Sequence, residues 1–177
     1  MNKESNAWSV PVAAEDIPEA GLHLSLEAPA EIRAEVAKLA GLRDLPRFSA
    51  EFDLARKGAG VHVAGHVSAR VGQTCVVTLE PIENAVEEAV DLQFAPAAAG
   101  EAKGAHQLAR DEEEPPEPLV EGGLDLGAVA TEFLILGIDP YPRKAGAEFA
   151  EPKREDGGEH PFAALESLKK GLGGGKS

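Results

Sequence analysis

The sequence RFSAEFDLARKGAGVHVAGHVSARV, residues 47–71, carries the strongest structural signal in the chain. Its apolar residues alternate with other residues in two series, at Phe48, Ala50, Phe52 and Leu54 and then from Val61 to Val71. A period of two is typical of a strand with one buried face. The glycines of residues 57–60 tolerate the backbone conformations that a turn requires. This stretch therefore predicts a β-hairpin with one apolar side.

Other segments extend this hairpin into a sheet. A short first strand is predicted at residues 8–12, where Pro11 suggests an edge position, and alternating strands are predicted at residues 21–27 and 86–94. A further strand from Gln73 to Leu79 is expected to end at Pro81. Because tight turns connect antiparallel neighbours, we expect an antiparallel sheet of about five to six strands.

Two segments have helical spacing. Residues 29–40 place Ile32, Val36 and Leu39 on one side. Residues 125–137 have a broad apolar face, and Asp125 stands at the N-cap position. Both helices are expected to cover the sheet. The predicted fold class is therefore α+β, with a single domain over residues 8–142.

The rest of the chain is poor in large apolar residues. Residues 97–118 include the acidic, proline-rich run DEEEPPEP, which buries too little apolar surface to offset the entropy cost of ordering. A flexible acidic loop is predicted there. Residues 143–177 are predicted to be a loose tail with a short amphipathic helix at 161–170, whose apolar stripe is Phe162, Leu165 and Leu168.

The net charge of −14 limits the classes of partner. An acidic surface repels phosphate backbones unless basic residues are segregated, which argues against simple coating of naked nucleic acid. The acidic surface could equally serve solubility alone. A basic protein, a ribonucleoprotein or a local basic patch remains compatible with this charge. No apolar run approaches the ~20 residues that span a bilayer, and the N-terminus lacks an apolar signal core. We expect a cytoplasmic protein with no membrane partner.

A local basic patch is available in the predicted sheet. Residues 31–60 carry six basic and five acidic residues, which is close to neutral in a very acidic chain. Arginine grips phosphate through two parallel hydrogen bonds. If the basic side chains converge they form an RNA-facing or partner-facing patch, and otherwise they are scattered solubilising charge. The candidate binding residues are Arg43, Arg47, Arg56, Lys57 and Arg70.

No residue pattern predicts catalysis. Cys75 is the single cysteine, and its apolar neighbours favour a small structural residue over a reactive thiolate. His62 and His66 share a strand face about 13 Å apart, too far to share a metal ion. No nucleophile elbow or phosphate-binding glycine loop is present. We expect no catalytic residue, metal, cofactor or small-molecule substrate, and hence no enzyme.

Three segments together resemble the YceD-type large-subunit ribosomal RNA accumulation proteins. The first is QTCVVTLEPI at residues 73–82, a cysteine-bearing segment that precedes the Phe94-Ala-Pro96 sequence. The second is GLDLGAVATEFLILGIDP at residues 123–140, and the third is PFAALESLKK at residues 161–170. The residues that carry the likeness are Cys75, Asp125, Leu126, Glu132, Pro161, Phe162 and Leu165.

This resemblance implies a non-enzymatic ribosome-assembly factor. Its expected partner is ribosomal RNA within a ribonucleoprotein, or a ribosomal protein. The alternative is an acidic adaptor or chaperone for a basic ribosomal protein. Many relatives carry a Cys-X-X-Cys pair, but Thr78 occupies the second position here. A metal role for that pair is therefore not carried over to this chain.

Overall fold

The structure is a computed structural model that describes residues 7–96 and 116–149. Within these ranges the chain forms seven strands and two α-helices, with a 3₁₀ turn at Ala14–Asp16. The strands are β1 (Pro11–Ala13), β2 (Leu22–Glu27), β3 (Asp44–Lys57), β4 (Gly60–Thr74), β5 (Pro81–Pro96), β6 (Glu117–Leu119) and β7 (Gly123–Asp125). The helices are α1 (Ala30–Leu39) and α2 (Leu126–Gly137).

Five strands form the main sheet in the order β2-β3-β4-β5-β6, and β1 pairs with β7 in a separate small sheet. The strands β2 to β5 are antiparallel neighbours, but β6 runs parallel to the end of β5. The α+β class and the two helices are confirmed. A wholly antiparallel sheet is wrong, because the chain between Pro96 and Glu117 is long enough for the crossover that a parallel pair requires.

The predicted alternation produces the core. Phe48, Phe52 and Leu54 of β3 are buried on the same face as Val63 and Val67 of β4. The helices pack on this inner face through buried residues, among them Val36 and Ala37 of α1 and Leu126, Ala130 and Leu134 of α2. The predicted strand at 8–12 begins later, because Trp8 enters the core and packs edge-on against Phe48 with ring centroids 4.8 Å apart.

A strand from Gln73 to Leu79 is not formed. β4 ends at Thr74 and the chain turns sharply, with the Leu79 N–H donating to the Cys75 carbonyl at 3.0 Å. Pro81 does not end a strand but begins β5 opposite Thr74, a position where its missing N–H is tolerated. The β-branched residues Val76 and Val77 imitate a strand locally, but they occupy the turn that joins β4 to β5.

Two further predictions concern the weakly patterned segments. Glu117 and Pro118, assigned to the acidic loop from sequence, belong to β6. The remainder of that loop, residues 97–115, lies outside the described residues. The same is true of residues 150–177, including the helix predicted at 161–170. No helix in the described ranges is long and apolar enough to cross a membrane.

Replacing Phe48 by alanine tests the importance of the inner face. Phe48 is fully buried and contacts Trp8, so Phe48→Ala is expected to lower the free energy of unfolding by about 3–5 kcal/mol. Urea unfolding at equilibrium measures the change. Leu39→Ala is the control, because Leu39 is 63% exposed, and its effect is expected within about 0.5 kcal/mol. A loss below about 1 kcal/mol for Phe48→Ala would contradict this packing.

Candidate nucleic-acid interface

Two of the candidate binding residues, Arg47 and Arg70, face each other on the open side of the sheet. The β3–β4 register places Arg47 directly opposite Arg70, and both side chains are exposed. Directly opposite residues have Cβ atoms about 4.5–5.5 Å apart, and like charges in such a pair destabilise a sheet. Exposed carboxylates on the same face partly offset this repulsion, since Glu27 is diagonal to Arg47, and Glu83 and Glu87 are diagonal to Arg70. A phosphate or another anionic group from a partner could offset it further.

A β-bulge lies next to this arginine pair. Asp44 is paired with Gly72 and Arg47 with Arg70, so Leu45 and Pro46 oppose Val71 alone. A Cβ at position 72 would collide with the Asp44 carboxylate, which explains the glycine. The bulge is further closed by the Arg43 N–H, which donates to the Gly72 carbonyl at 2.8 Å. These contacts hold the start of β3 and the end of β4 together.

A cleft of about 450 Å³ separates α1 from the start of β3. Arg33 and Lys38 of α1 line it together with Arg43, and Asp44 is the acidic residue in its lining. Arg33 donates one hydrogen bond to the Ala28 carbonyl at 2.8 Å. Arg33 and Lys38 were missing from the predicted site, although the local charge balance of residues 31–60 already included them.

We define the basic cluster as Arg33, Lys38, Arg43, Arg47 and Arg70, all near the same end of the β3–β4 ladder. Within residues 7–96 and 116–149, no carboxylate lies within ion-pairing distance of these five side chains. Arg47 and Arg70 lie on the open face of the sheet, whereas Arg33, Lys38 and Arg43 line the cleft beside α1. Exposed carboxylates lie at the same end, among them Glu83 and Glu87 of β5, which are diagonal to Arg70. Any phosphate contact is therefore local to these cations in a chain whose net charge is −14.

The other two predicted basic residues do not join the basic cluster. Arg56 follows Arg47 by nine residues along β3, which corresponds to about 30 Å. Its guanidinium donates to the backbone carbonyls of Ile17 and Glu15, so it anchors the segment before β2. Lys57 donates to the side chain of Gln93 at 3.2 Å. The five-residue patch proposed from sequence is therefore divided between opposite ends of the sheet.

Cys75 organises the turn between β4 and β5. Its Sγ is fully buried and accepts hydrogen bonds from the N–H groups of Thr78 at 3.4 Å and Lys144 at 3.3 Å. The Lys144 ammonium also contacts Glu80 at 2.9 Å, and the Val76 N–H donates to the Pro142 carbonyl. The turn thereby holds the segment that follows α2. Cys75 therefore has a structural role in this turn, held by hydrogen bonds and not by the apolar neighbours from which that role was predicted.

Hydrogen bonding changes the acidity of this thiol. The backbone N–H of Lys144, followed by the hydroxyl and N–H of Thr78, lowers the pKa of Cys75 from 9.0 to about 6, although burial opposes the shift. The same lysine and Thr78 lower the pKa of Glu80. Among the described residues, no three His, Cys, Asp or Glu side chains are grouped so that they could hold a metal ion.

The family-motif residues of α2 have distinct positions. Asp125 caps the helix, because its carboxylate accepts from the N–H groups of Gly127 at 3.0 Å and Ala128 at 3.2 Å. It also accepts from Ser9 and from the Val10 N–H, which fastens the N-terminal segment to α2. Leu126 is fully buried, whereas Glu132 is exposed. The motif positions Pro161, Phe162 and Leu165 lie outside the described residues.

The two histidines of β4 are on the open face of the sheet. His62 contacts Asp91 at 2.8 Å, while His66 lies 3.8 Å from Glu51. Each histidine therefore has its own carboxylate partner on a different neighbouring strand. This separation agrees with the interpretation of both as surface histidines.

The Cys75 thiolate predicts a specific pH dependence of stability. A thiol with a lowered native pKa stabilises the fold fully above its ordinary value of 9.0, and this contribution is lost as the pH falls to about 6. The wild-type free energy of unfolding, minus that of Cys75→Ser, is expected to rise with pH across this window. Denaturant unfolding of both proteins over the same pH series measures the difference. A difference independent of pH would contradict thiolate formation in the folded protein.

Comparison with protein-family models matches residues 63–169 to the family described as Large ribosomal RNA subunit accumulation protein YceD. The match spans more than half of the chain, and it includes the segments 73–82 and 123–140 and nearly all of 161–170. Comparison with the curated proteins and with the solved structures gives no match. The resemblance stated from sequence is thus confirmed. The chain belongs to the YceD family of large ribosomal RNA subunit accumulation proteins.

Proposed function

We propose that this protein is a non-enzymatic assembly factor that promotes accumulation of large-subunit ribosomal RNA by binding RNA within a ribonucleoprotein. Membership of the YceD family supports the process. The basic cluster supports the mode of action, and the pairing of Arg47 with Arg70 is the observation that carries the proposal. The proposal places the protein in the cytoplasm, where it would meet assembling subunits.

The charge distribution supports a contact that is confined to one end of the molecule. Arginine binds phosphate through two parallel hydrogen bonds. The side chains of Arg47 and Arg70 are exposed and therefore accessible to a phosphate of a partner. The acidic remainder of the surface repels additional RNA. Such a protein is suited to a defined site on a folded ribonucleoprotein rather than to coating a free strand.

The surroundings of the cysteine and of the two β4 histidines support a role in binding and not in catalysis. Cys75 is buried in a hydrogen-bonded turn, and His62 and His66 lie on an open sheet face with separate carboxylate partners. The cleft beside α1 is lined by cations and by alanine, leucine and proline, with Asp44 as its carboxylate. This composition is suited to holding an anion.

A second candidate function is an acidic adaptor or chaperone for a basic ribosomal protein. A specific observation favours it, because the ionisable residues lining a large groove beside α2 are acidic. The two functions use different surfaces and are compatible with each other.

Depletion and complementation test the proposed function. Depletion is expected to lower mature large-subunit RNA relative to small-subunit RNA, and wild-type protein is expected to restore the ratio. The double variant Arg47→Gln/Arg70→Gln is expected to fail at equal abundance, because it removes the paired phosphate ligands. Lys57→Gln is the matched control, since Lys57 lies on β3 away from the basic cluster, and it is expected to restore the ratio.

Two results would contradict this account. One is an unchanged RNA ratio after depletion, with normal subunit profiles on a gradient. The other is full restoration by the double arginine variant, which would show that the basic cluster is not needed. Circular dichroism and urea unfolding of the purified variant establish that its loss of function does not come from misfolding.

A further inference from the structure

A groove of about 1030 Å³ lies at the end of the sheet opposite the basic cluster. Its walls come from α2, from the end of β5 and from the short strands β1, β6 and β7. Large apolar residues dominate the lining, and they are Val12, Leu92, Phe94, Val120, Leu124, Val129, Phe133 and Leu136. The groove is thus an apolar surface assembled from separate parts of the chain.

The mouth of this groove presents apolar side chains to water. Val120 is 73% exposed and Leu136 is 72% exposed, whereas Leu124 and Val129 beneath them are buried. An exposed apolar surface of this kind beside a buried floor is typical of a binding groove. Among the described residues no buried side-chain polar atom lacks a hydrogen-bond partner, so no orphan polar group suggests a small polar ligand.

The charge of the lining restricts the partner. Its ionisable residues are Glu117, Glu121, Asp125 and Glu132, all acidic. Asp125 is engaged in capping α2, but the other three side chains are exposed. Three exposed carboxylates beside an apolar surface attract cationic groups and repel phosphates. The groove is therefore unsuited to RNA and suited to a basic protein segment.

We propose that this acidic groove binds an amphipathic protein segment with large aliphatic side chains on one face and lysine or arginine on the other. An amphipathic helix places its apolar face into a hydrophobic groove in this way, and its basic residues would then meet Glu117, Glu121 and Glu132. The partner is identified by chemistry, as a basic segment of another protein.

The groove and the basic cluster are independent surfaces. Phe94 at the groove is paired with Val61, and Arg70 lies nine residues further along β4, about 30 Å away. One molecule can therefore hold a protein segment and an RNA-containing partner together. The proposal does not require the RNA contact to be correct, since its binding test contains no RNA.

Peptide binding to the full-length protein tests the proposal. The probe is a synthetic helical peptide with leucine at core-facing heptad positions and lysine elsewhere, measured by fluorescence anisotropy at moderate salt. The variant Val120→Ser/Leu136→Ser removes exposed apolar contacts, and Glu121→Gln/Glu132→Gln removes rim charge. Each double variant is expected to weaken binding about tenfold.

Matched controls come from α1, away from the groove. Leu39→Ser removes a comparably exposed leucine, and Glu35→Gln removes a comparably exposed carboxylate. Both are expected to leave the affinity within about twofold of wild type. Peptides with glutamate in place of lysine, or serine in place of leucine, are expected to bind at least about tenfold more weakly. These peptide controls test the interaction without altering the folded protein.

Several outcomes would overturn the proposal. Equal weakening by the α1 controls, or equal binding of the glutamate peptide, would show that no specific basic segment is recognised. Concentration-dependent dimers abolished by the groove variants would make a second copy the occupant. Peptide binding that tightens tenfold or more when residues 161–170 are deleted would instead assign the groove to the chain's own segment. None of these outcomes affects the complementation test of Arg47→Gln/Arg70→Gln, because that test does not involve the groove.

Discussion

The pleat of the paired strands β3 and β4 is the constraint on which the other features depend. Side chains along a strand alternate between two faces, so one register fixes both the core and the open surface. The pairing that buries Phe48 beside Ala69 also sets Arg47 opposite Arg70. A slip by one residue would expose the phenylalanines and bury the arginines. The energy of the hydrophobic core therefore holds the like-charged arginine pair in place.

The sheet's length separates two kinds of surface. β3 and β4 are long strands of 14 and 15 residues, with the basic cluster near one end and the acidic groove near the other. An assembly factor that acts by contact can use this separation, because each end attracts a different class of partner. The Cys75 turn and the Asp125 cap fasten the elements at the two ends through hydrogen bonds.

The sequence allowed the long, strongly patterned elements to be predicted, but it did not reveal pairings that join distant segments. The hairpin at 47–71 and both helices follow from periodicity. The parallel pairing of β6 and the β1–β7 sheet involve strands of three residues, too short for a periodic signal. Arg56 was predicted to bind a partner, but it donates to backbone carbonyls of its own chain. Those carbonyls lie 39 and 41 residues away in the sequence, so the local pattern could not reveal the contact. The groove is likewise formed by five elements that are distant in the sequence, so no single segment could reveal it.

Crosslinking in cells tests the central claim most directly, namely that the protein acts by contact through its basic cluster. A photoreactive amino acid placed at Pro46 would sample the cleft without removing a cation of the basic cluster, and one at Glu35 on the exposed surface of α1 would serve for comparison. We expect crosslinks from position 46 to large-subunit ribosomal RNA in assembling particles, reduced by Arg47→Gln/Arg70→Gln. Crosslinks to small-subunit RNA in equal yield, or no RNA crosslinks from position 46, would contradict this claim.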